Sequence, residues 1–144
     1  MHINLESDYA VRIVHCLALS PGRLDAQSIA QRTCVSLRFT LKIMRKLVAA
    51  GIVKSYKGAK GGYTIARPPR EITLRQVIEA VEGPYRFSRC MDGGYACNCS
   101  TAAPCPFRPV FDEVTRLVVD KLEEVTFDAL ISDNAAAPEG PAAD

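Results

Sequence analysis

Apolar residues recur at helical spacing along the first twenty positions. Leu5, Tyr9, Ile13 and Leu17 step by four, with Val14 and Cys16 beside them, which predicts a helix over 5–20. Ser20-Pro21-Gly22 ends it as a turn. Asp25 can cap a short second helix, about 26–32, that carries Ile29 and Ala30 inward. After Thr33-Cys34-Val35, Ser36 can cap a third helix over about 37–50. Its apolar positions are Leu37, Ile43, Met44, Leu47 and Val48, and Gly51 is its stop. Two helices joined by so short a turn make a helix-turn-helix unit. The period then changes from helical to alternating. Residues 52–56 and 63–66 are strand-like, and the glycine-rich turn Lys57-Gly58-Ala59-Lys60-Gly61-Gly62 joins them as a hairpin. A helix-turn-helix followed by a hairpin is a winged helix.

Thr73 and Gln76 form a capping box that opens a helix over 74–82, burying Leu74, Val77, Ile78 and Val81. Gly83-Pro84 stops it. From Pro109 the chain is helical again: Phe111, Val114, Val118, Leu122 and Val125 step by three or four, with Leu117 adjoining. Such a stripe packs on its own domain or on a second copy, and a long helix at the end of a small DNA-binding domain predicts the second. Thr126 can cap a last turn through Ile131, and 134–144 hold no core residues and should be disordered. The expected fold is mainly α: a winged helix-turn-helix domain with a long C-terminal dimerisation helix. The expected divisions are 1–83 for the DNA-binding domain, 84–108 for a cysteine-rich loop, 109–132 for the dimerisation helix and terminal turn, and 133–144 for a tail.

Charge sharpens this picture. Residues 1–70 hold 12 Lys and Arg against 3 Asp and Glu, whereas 71–144 hold 6 against 13. A basic half that is not low-complexity suggests a nucleic-acid face, although a solvated basic surface has the same composition. On the third helix, Arg38 and Thr40 are the candidates for base contact. Lys42, Arg45 and Lys46 are the candidates for phosphates, and Ser36 joins the DNA-facing set at the helix start. Lys57 and Lys60 at the wing tip can reach phosphates or the minor groove. Double-stranded DNA is the expected partner. No apolar run reaches eighteen residues and the N-terminus lacks the pattern of a signal peptide, so no membrane role and a cytoplasmic location are expected.

Four of the six cysteines, Cys90, Cys97, Cys99 and Cys105, fall within sixteen residues that include two glycines and a proline. Such a segment cannot pack itself, and four thiols can hold it by metal binding or disulfides. A cytosolic location favours a metal centre. An iron–sulfur cluster, zinc, and a thiol–disulfide switch all use such residues. The gaps do not match the paired spacing of common structural zinc sites. Cys16 and Cys34 read as small buried hydrophobes, and His2 and His15 as surface or packing residues. No nucleophile elbow, phosphate loop or metallohydrolase pair is present, so an enzyme is not expected. An electron carrier would leave the basic half without a purpose.

Several motifs together resemble one bacterial family. They are Ser7-Asp8-Tyr9-Ala10-Val11-Arg12, Ile29-Ala30, Ser36-Leu37-Arg38-Phe39, the wing from Lys57 to Tyr63, and Ile78-Glu79-Ala80-Val81-Glu82-Gly83. Over about 1–132 the chain resembles the iron–sulfur winged-helix regulators related to the cluster assembly regulator, the nitric-oxide-sensing repressor and the rhizobial iron regulator. The resemblance implies a homodimer that binds near-palindromic operators, and a 2Fe-2S or 4Fe-4S cluster on the loop before the long helix. Cluster-binding members usually present three cysteines, the last two five residues apart. Cys99 and Cys105 match that spacing, Cys90 then supplies the first, and Cys97 is extra. The histidine that the assembly-regulator branch places three residues after the last cysteine is here Arg108. The nitric-oxide-sensor branch completes its site with an aspartate from the other subunit, and Asp8 holds the matching position. The resemblance therefore implies Cys90, Cys99, Cys105 and Asp8 of the partner subunit as ligands, with Cys97 as the alternative fourth. The implied function is a transcriptional regulator, a repressor, that senses nitric oxide, iron or redox state.

Overall fold

In the computed structural model, residues 2–99 and 104–135 are described. Helix α1 (Leu5–Leu19) starts at Asn4, whose side chain accepts the Ser7 N–H. Helix α2 (Ala26–Thr33) starts at Asp25 and α3 (Leu37–Ala49) at Ser36, each side chain accepting from the backbone three residues on. Strands β1 (Val53–Tyr56) and β2 (Gly62–Ile65) pair antiparallel, Val53 opposite Ile65 and Tyr56 opposite Gly62. Helix α4 (Leu74–Glu82) opens with the full Thr73–Gln76 capping box. Helices α5 (Arg108–Glu124) and α6 (Phe127–Ala135) complete the order. The architecture is mainly helical with one small sheet, as the periodicity predicts.

The core is one cluster. Ile13, Val14 and Leu17 of α1 meet Ile43, Met44 and Leu47 of α3, with Ile29, Ile72 and Val77 closing the sides. Several expected core positions fall outside it, with Tyr9 and Leu74 only half-buried against it. Leu5 is 56% exposed in the first turn of α1, and Leu37 is 39% exposed in the first turn of α3. Val48 is half-buried at the edge of the cluster.

Leu24 pairs with Tyr63, each N–H donating to the other's carbonyl, at 3.1 and 2.8 Å. This one-residue strand fixes the root of the wing. A side chain at Gly62 would meet the Leu24 carbonyl oxygen at 2.8 Å, and its φ of 148° also disfavours any other residue.

The chain's return to the domain is the feature that periodicity does not predict. Thr73 and Thr126 bridge antiparallel. The Leu74 N–H donates to the Val125 carbonyl at 2.9 Å and the Phe127 N–H to the Ile72 carbonyl at 3.0 Å. Phe127 is thereby drawn fully into the core. Thr126 caps α6 by accepting the Ala129 N–H, and α6 packs on α1. The last helix thus runs to Ala135, past the expected boundary at 132, because it has a cap and a buried anchor; the rest of the expected tail, 136–144, lies outside the described residues.

Helix α5 behaves differently. Of its residues only Thr115 is buried. Its expected face (Phe111, Val114, Val118, Leu122) is half-buried, and Val110 and Leu117 are 57% and 64% exposed. No described helix is long and apolar enough to cross a membrane.

Two substitutions check where the core ends. Phe127→Ala should destabilise the fold by about 3–5 kcal/mol, as loss of a buried aromatic does. Thr40→Val should cost nothing or stabilise, because the Thr40 hydroxyl is buried without a hydrogen-bond partner among the described residues. Urea denaturation measures both.

Candidate nucleic-acid interface and cysteine loop

Helix α3 is the second helix of the unit, and its faces follow from 3.6-residue periodicity. Thr40, Ile43, Met44 and Leu47 share the inward face, and Thr40 is fully buried. The expectation that Thr40 contacts a base is therefore corrected: it lies three and four residues before Ile43 and Met44, so it must turn inward with them. The outward face holds Arg38, Lys42 and Arg45. Arg38 and Arg45 have no acidic partner among the described residues. Ser36 is occupied as the α3 cap.

Lys46 turns away from this face. Its ammonium sits 2.8 Å from Glu6 Oε1 and donates at 2.9 Å to the Val81 carbonyl. It ties α3 to α1 and α4, which corrects its expected role at phosphates. Lys42 lies 3.4 Å from Glu6 Oε2 but remains 57% exposed, so it can still meet a phosphate. Burial alone would raise the Glu6 carboxyl, but the Lys46 and Lys42 ammonium groups outweigh it and hold the carboxyl below its ordinary value. Beside it, Glu82 accepts from the Asn4 N–H and the Ser7 hydroxyl. Glu6 and Glu82 carry no signal in helical periodicity, because both read as surface carboxylates.

The wing places Lys57 and Lys60 at an exposed tip. Arg23 braces it: the guanidinium stacks 3.6 Å from the Tyr56 ring centroid and donates to the Lys60 carbonyl at 3.1 Å. The Thr64 hydroxyl, with the Lys54 and Arg23 charges, holds the Tyr56 phenol below its ordinary value. Arg23 lies 33 residues before Tyr56 in the sequence, so its role is visible only in the fold.

The first root of the cysteine loop is held by two helices. The Tyr85 N–H donates to Glu79, and the Phe87 N–H to the Thr115 hydroxyl at 3.1 Å. The Thr115 hydroxyl in turn faces the Phe111 carbonyl at 2.8 Å and the Met91 sulfur at 3.3 Å; having one proton, it donates best to the carbonyl. Phe87 packs on Phe111 at 5.1 Å between centroids, and Phe107 stacks on Phe111 at 6.3 Å. This aromatic cluster joins the two roots of the loop. Cys90 lies in a 3-10 turn (Arg89–Met91) with the Ser88 hydroxyl 3.2 Å away. Cys90 and Cys105 are half-buried near the roots, while Cys97 and Cys99 are exposed. The Cys99 N–H approaches the Cys97 sulfur at 3.5 Å. Residues 100–103 lie outside the described part.

The loop does not bring its thiols together as one site: no three metal-ligating side chains converge among the described residues. Asp8 lies on the exposed side of α1, paired with Arg12 at 2.6 Å. Of the remaining cysteines, Cys16 is half-buried, and burial pushes its thiol up against a smaller pull from Arg32. Cys34 is exposed, contrary to expectation, because it caps α2 in the left-handed conformation with φ of 55° and points out of the turn.

Relatives agree with this architecture. A Neisseria meningitidis protein classed as an HTH-type transcriptional regulator is 29% identical over 133 residues, covering 91% of this chain and 88% of the relative. An rrf2-like HTH-type protein of Rhodobacter capsulatus, with the same kind of classification, is 31% identical, covering 82% and 81%. The structure of T. potens IscR superposes with a TM-score of 0.76 at 26% identity, covering 97% of this chain and 94% of that one. CymR, the global cysteine regulator of B. subtilis, gives 0.73 at 27% identity, covering 92% and 97%. These relatives are transcriptional regulators rather than enzymes. The model of the Rrf2 family, iron-dependent transcriptional regulators, matches residues 3–133, and the chain is a DNA-binding winged-helix regulator belonging to that family.

Proposed function

We propose that this regulator is a homodimeric repressor whose affinity for a near-palindromic operator is set by an iron–sulfur cluster on the loop 84–108. The observation that carries the reading is the placement of four thiols on a loop whose first root is pinned both to α4 and to α5. The donor set suits the group, since thiolates are the usual cluster ligands. Cys90, Cys99 and Cys105 are the proposed cysteine ligands, with Asp8 of the partner subunit as the fourth and Cys97 as its alternative. The description of the family as iron-dependent supports an iron-linked signal. When bound, the cluster supplies a tie between loop cysteines that nitric oxide, iron shortage or oxidation can break.

The residues on either side transmit that change. Thr115 holds Phe87, so movement of the Cys90 turn bears on α5. Lys46 holds the Val81 carbonyl, so movement at the end of α4 bears on α3. The exposed stripe Phe107, Val110 and Leu117 supports pairing with a second copy, because a monomer would leave it in water. A second reading has an observation behind it: the structural neighbour CymR is named a cysteine regulator, and the exposed Cys97 and Cys99 adjoin each other. In that reading the loop works by thiol chemistry or zinc.

Anaerobic purification with an absorption spectrum and assays of iron, sulfide and zinc separates the two. Iron with sulfide is expected; zinc without sulfide contradicts the cluster. Cys90→Ala, Cys99→Ala and Cys105→Ala should each lose iron and sulfide, whereas Cys97→Ala should keep them. Loss in Cys97→Ala with retention in Cys99→Ala reverses that assignment.

Asp8→Ala should keep fold and dimer, since its exposed pair with Arg12 is worth about 0.5 kcal/mol or less. It should change the spectrum of the cluster or its rate of reaction with nitric oxide. An unchanged spectrum and rate would transfer the fourth position to Cys97.

On the DNA side, Arg38→Ala should relax sequence preference. Lys57→Ala or Lys60→Ala should weaken all sequences and lower the salt slope by about one unit per lost phosphate contact. Wing variants with wild-type salt dependence remove the wing from the phosphates.

A further inference from the structure

The outer surface of α3 carries apolar side chains that neither the core nor the phosphate-binding cations explain. Leu37, Phe39 and Leu41 are 39%, 37% and 38% exposed. Phe39 has a partner within the fold, the edge of the Tyr9 ring at 5.8 Å. Leu37 and Leu41 lie on the opposite flank. At 100° per residue they follow each other at i, i+4, beside Arg45 and in line with Val48. Val48 and Arg45 line one recess together with Ser55 and Tyr63 of the wing, so this flank of α3 is the one turned toward the wing. Leu37 and Leu41 therefore lie on the flank of α3 that continues toward the wing. They share an open recess of about 860 Å³ with Arg38, Phe39, Lys42 and Arg45.

From this arrangement we infer that Leu37 and Leu41 read thymine 5-methyl groups in the major groove, and so set base preference beside the contacts of Arg38. A polar surface would serve phosphates better, and an apolar one suits the only apolar group that a base pair presents there. The surrounding cations select a polyanion as the occupant over an apolar protein surface. Thr40 cannot share the task, since it is buried. The inference rests on the DNA-binding reading and adds to it the kind of base recognised: each half-site contains at least one thymine whose methyl group is required.

The test removes only the methyl group. Binding sites are first selected from random duplexes with the full-length protein. Each thymine of the selected operator is then replaced singly by deoxyuridine, which keeps every hydrogen-bonding group. Dissociation constants are measured at one salt concentration for the wild type, Leu37→Ala and Leu41→Ala. One or two replacements per half-site should weaken wild-type binding about fourfold each, the ratio expected from leaving one methyl-sized group unburied. In Leu41→Ala or Leu37→Ala the operator should bind more weakly, and the sensitivity at one of those thymines should vanish. The salt slope should stay unchanged, because no charge is removed. Wild-type binding that is indifferent to every replacement, or sensitivity that persists fully in both variants, overturns the leucine contacts while leaving DNA binding intact. Selection that enriches no sequence removes specific DNA reading itself, and the leucine contacts with it.

Discussion

The part of the molecule beyond α4 depends on two backbone hydrogen bonds, from Leu74 to the Val125 carbonyl and from Phe127 to the Ile72 carbonyl. They clamp the end of α5 to the start of α4, and the buried Phe127 ring locks the clamp into the core. The two helices then run antiparallel, with Arg75 facing Glu123 and Phe87 held by Thr115 at the other end. Thr115 is thus level with the end of α4. The seven residues Arg108–Val114 extend past it, about 10 Å at 1.5 Å per residue. The cysteine loop joins α4 to that overhang. In the proposed scheme, a change in the loop acts on a lever whose far end is fixed.

The DNA-reading side is connected to the same helix by side chains rather than by backbone pairing, through the shared apolar core and through charge. Lys46 is shared between Glu6 and the Val81 carbonyl, and Glu82 holds the start of α1. Helices α1, α3 and the end of α4 are therefore tied to one another. In the proposed scheme the cysteine loop biases the end of α4 and the overhang of α5. The dimer then converts that bias into the spacing of two recognition helices, an interface with two packings being the usual device for such a change. Because half-site spacing is a geometric requirement, a small shift is enough to change affinity.

Much of this was legible in the sequence, for local reasons. The caps at Asp25, Ser36 and Thr73 and the extent of α4 follow from side chains acting within four residues. The wing followed from its period and its glycines. What was hidden involves distant partners. Phe127 looked like part of a terminal turn because its core neighbours lie far back in the chain. Leu24 gave no sign of its pairing with Tyr63, since a single residue has no period. Thr40 is ambiguous in the sequence because a threonine is compatible with either face of a helix; its spacing to Ile43, Met44 and Leu47 is the signal that places it. The exposure of Cys34 is hidden in the sequence because the left-handed cap it forms belongs to the turn and not to either helix. The cysteine loop is the least legible segment, since its glycines and exposed thiols follow no helical or strand period.

The most direct measurement is operator affinity with the loop in its two states. One anaerobic preparation, assayed for iron and sulfide, is divided and one half is stripped of metal. Both halves are titrated on the same selected operator at the same salt concentration, with Cys90→Ala alongside. Control by the loop predicts that the two wild-type halves differ by tenfold or more, about 1.4 kcal/mol or greater of coupling, and that Cys90→Ala matches the stripped half before and after treatment. Equal affinities for loaded and stripped wild-type protein would contradict it.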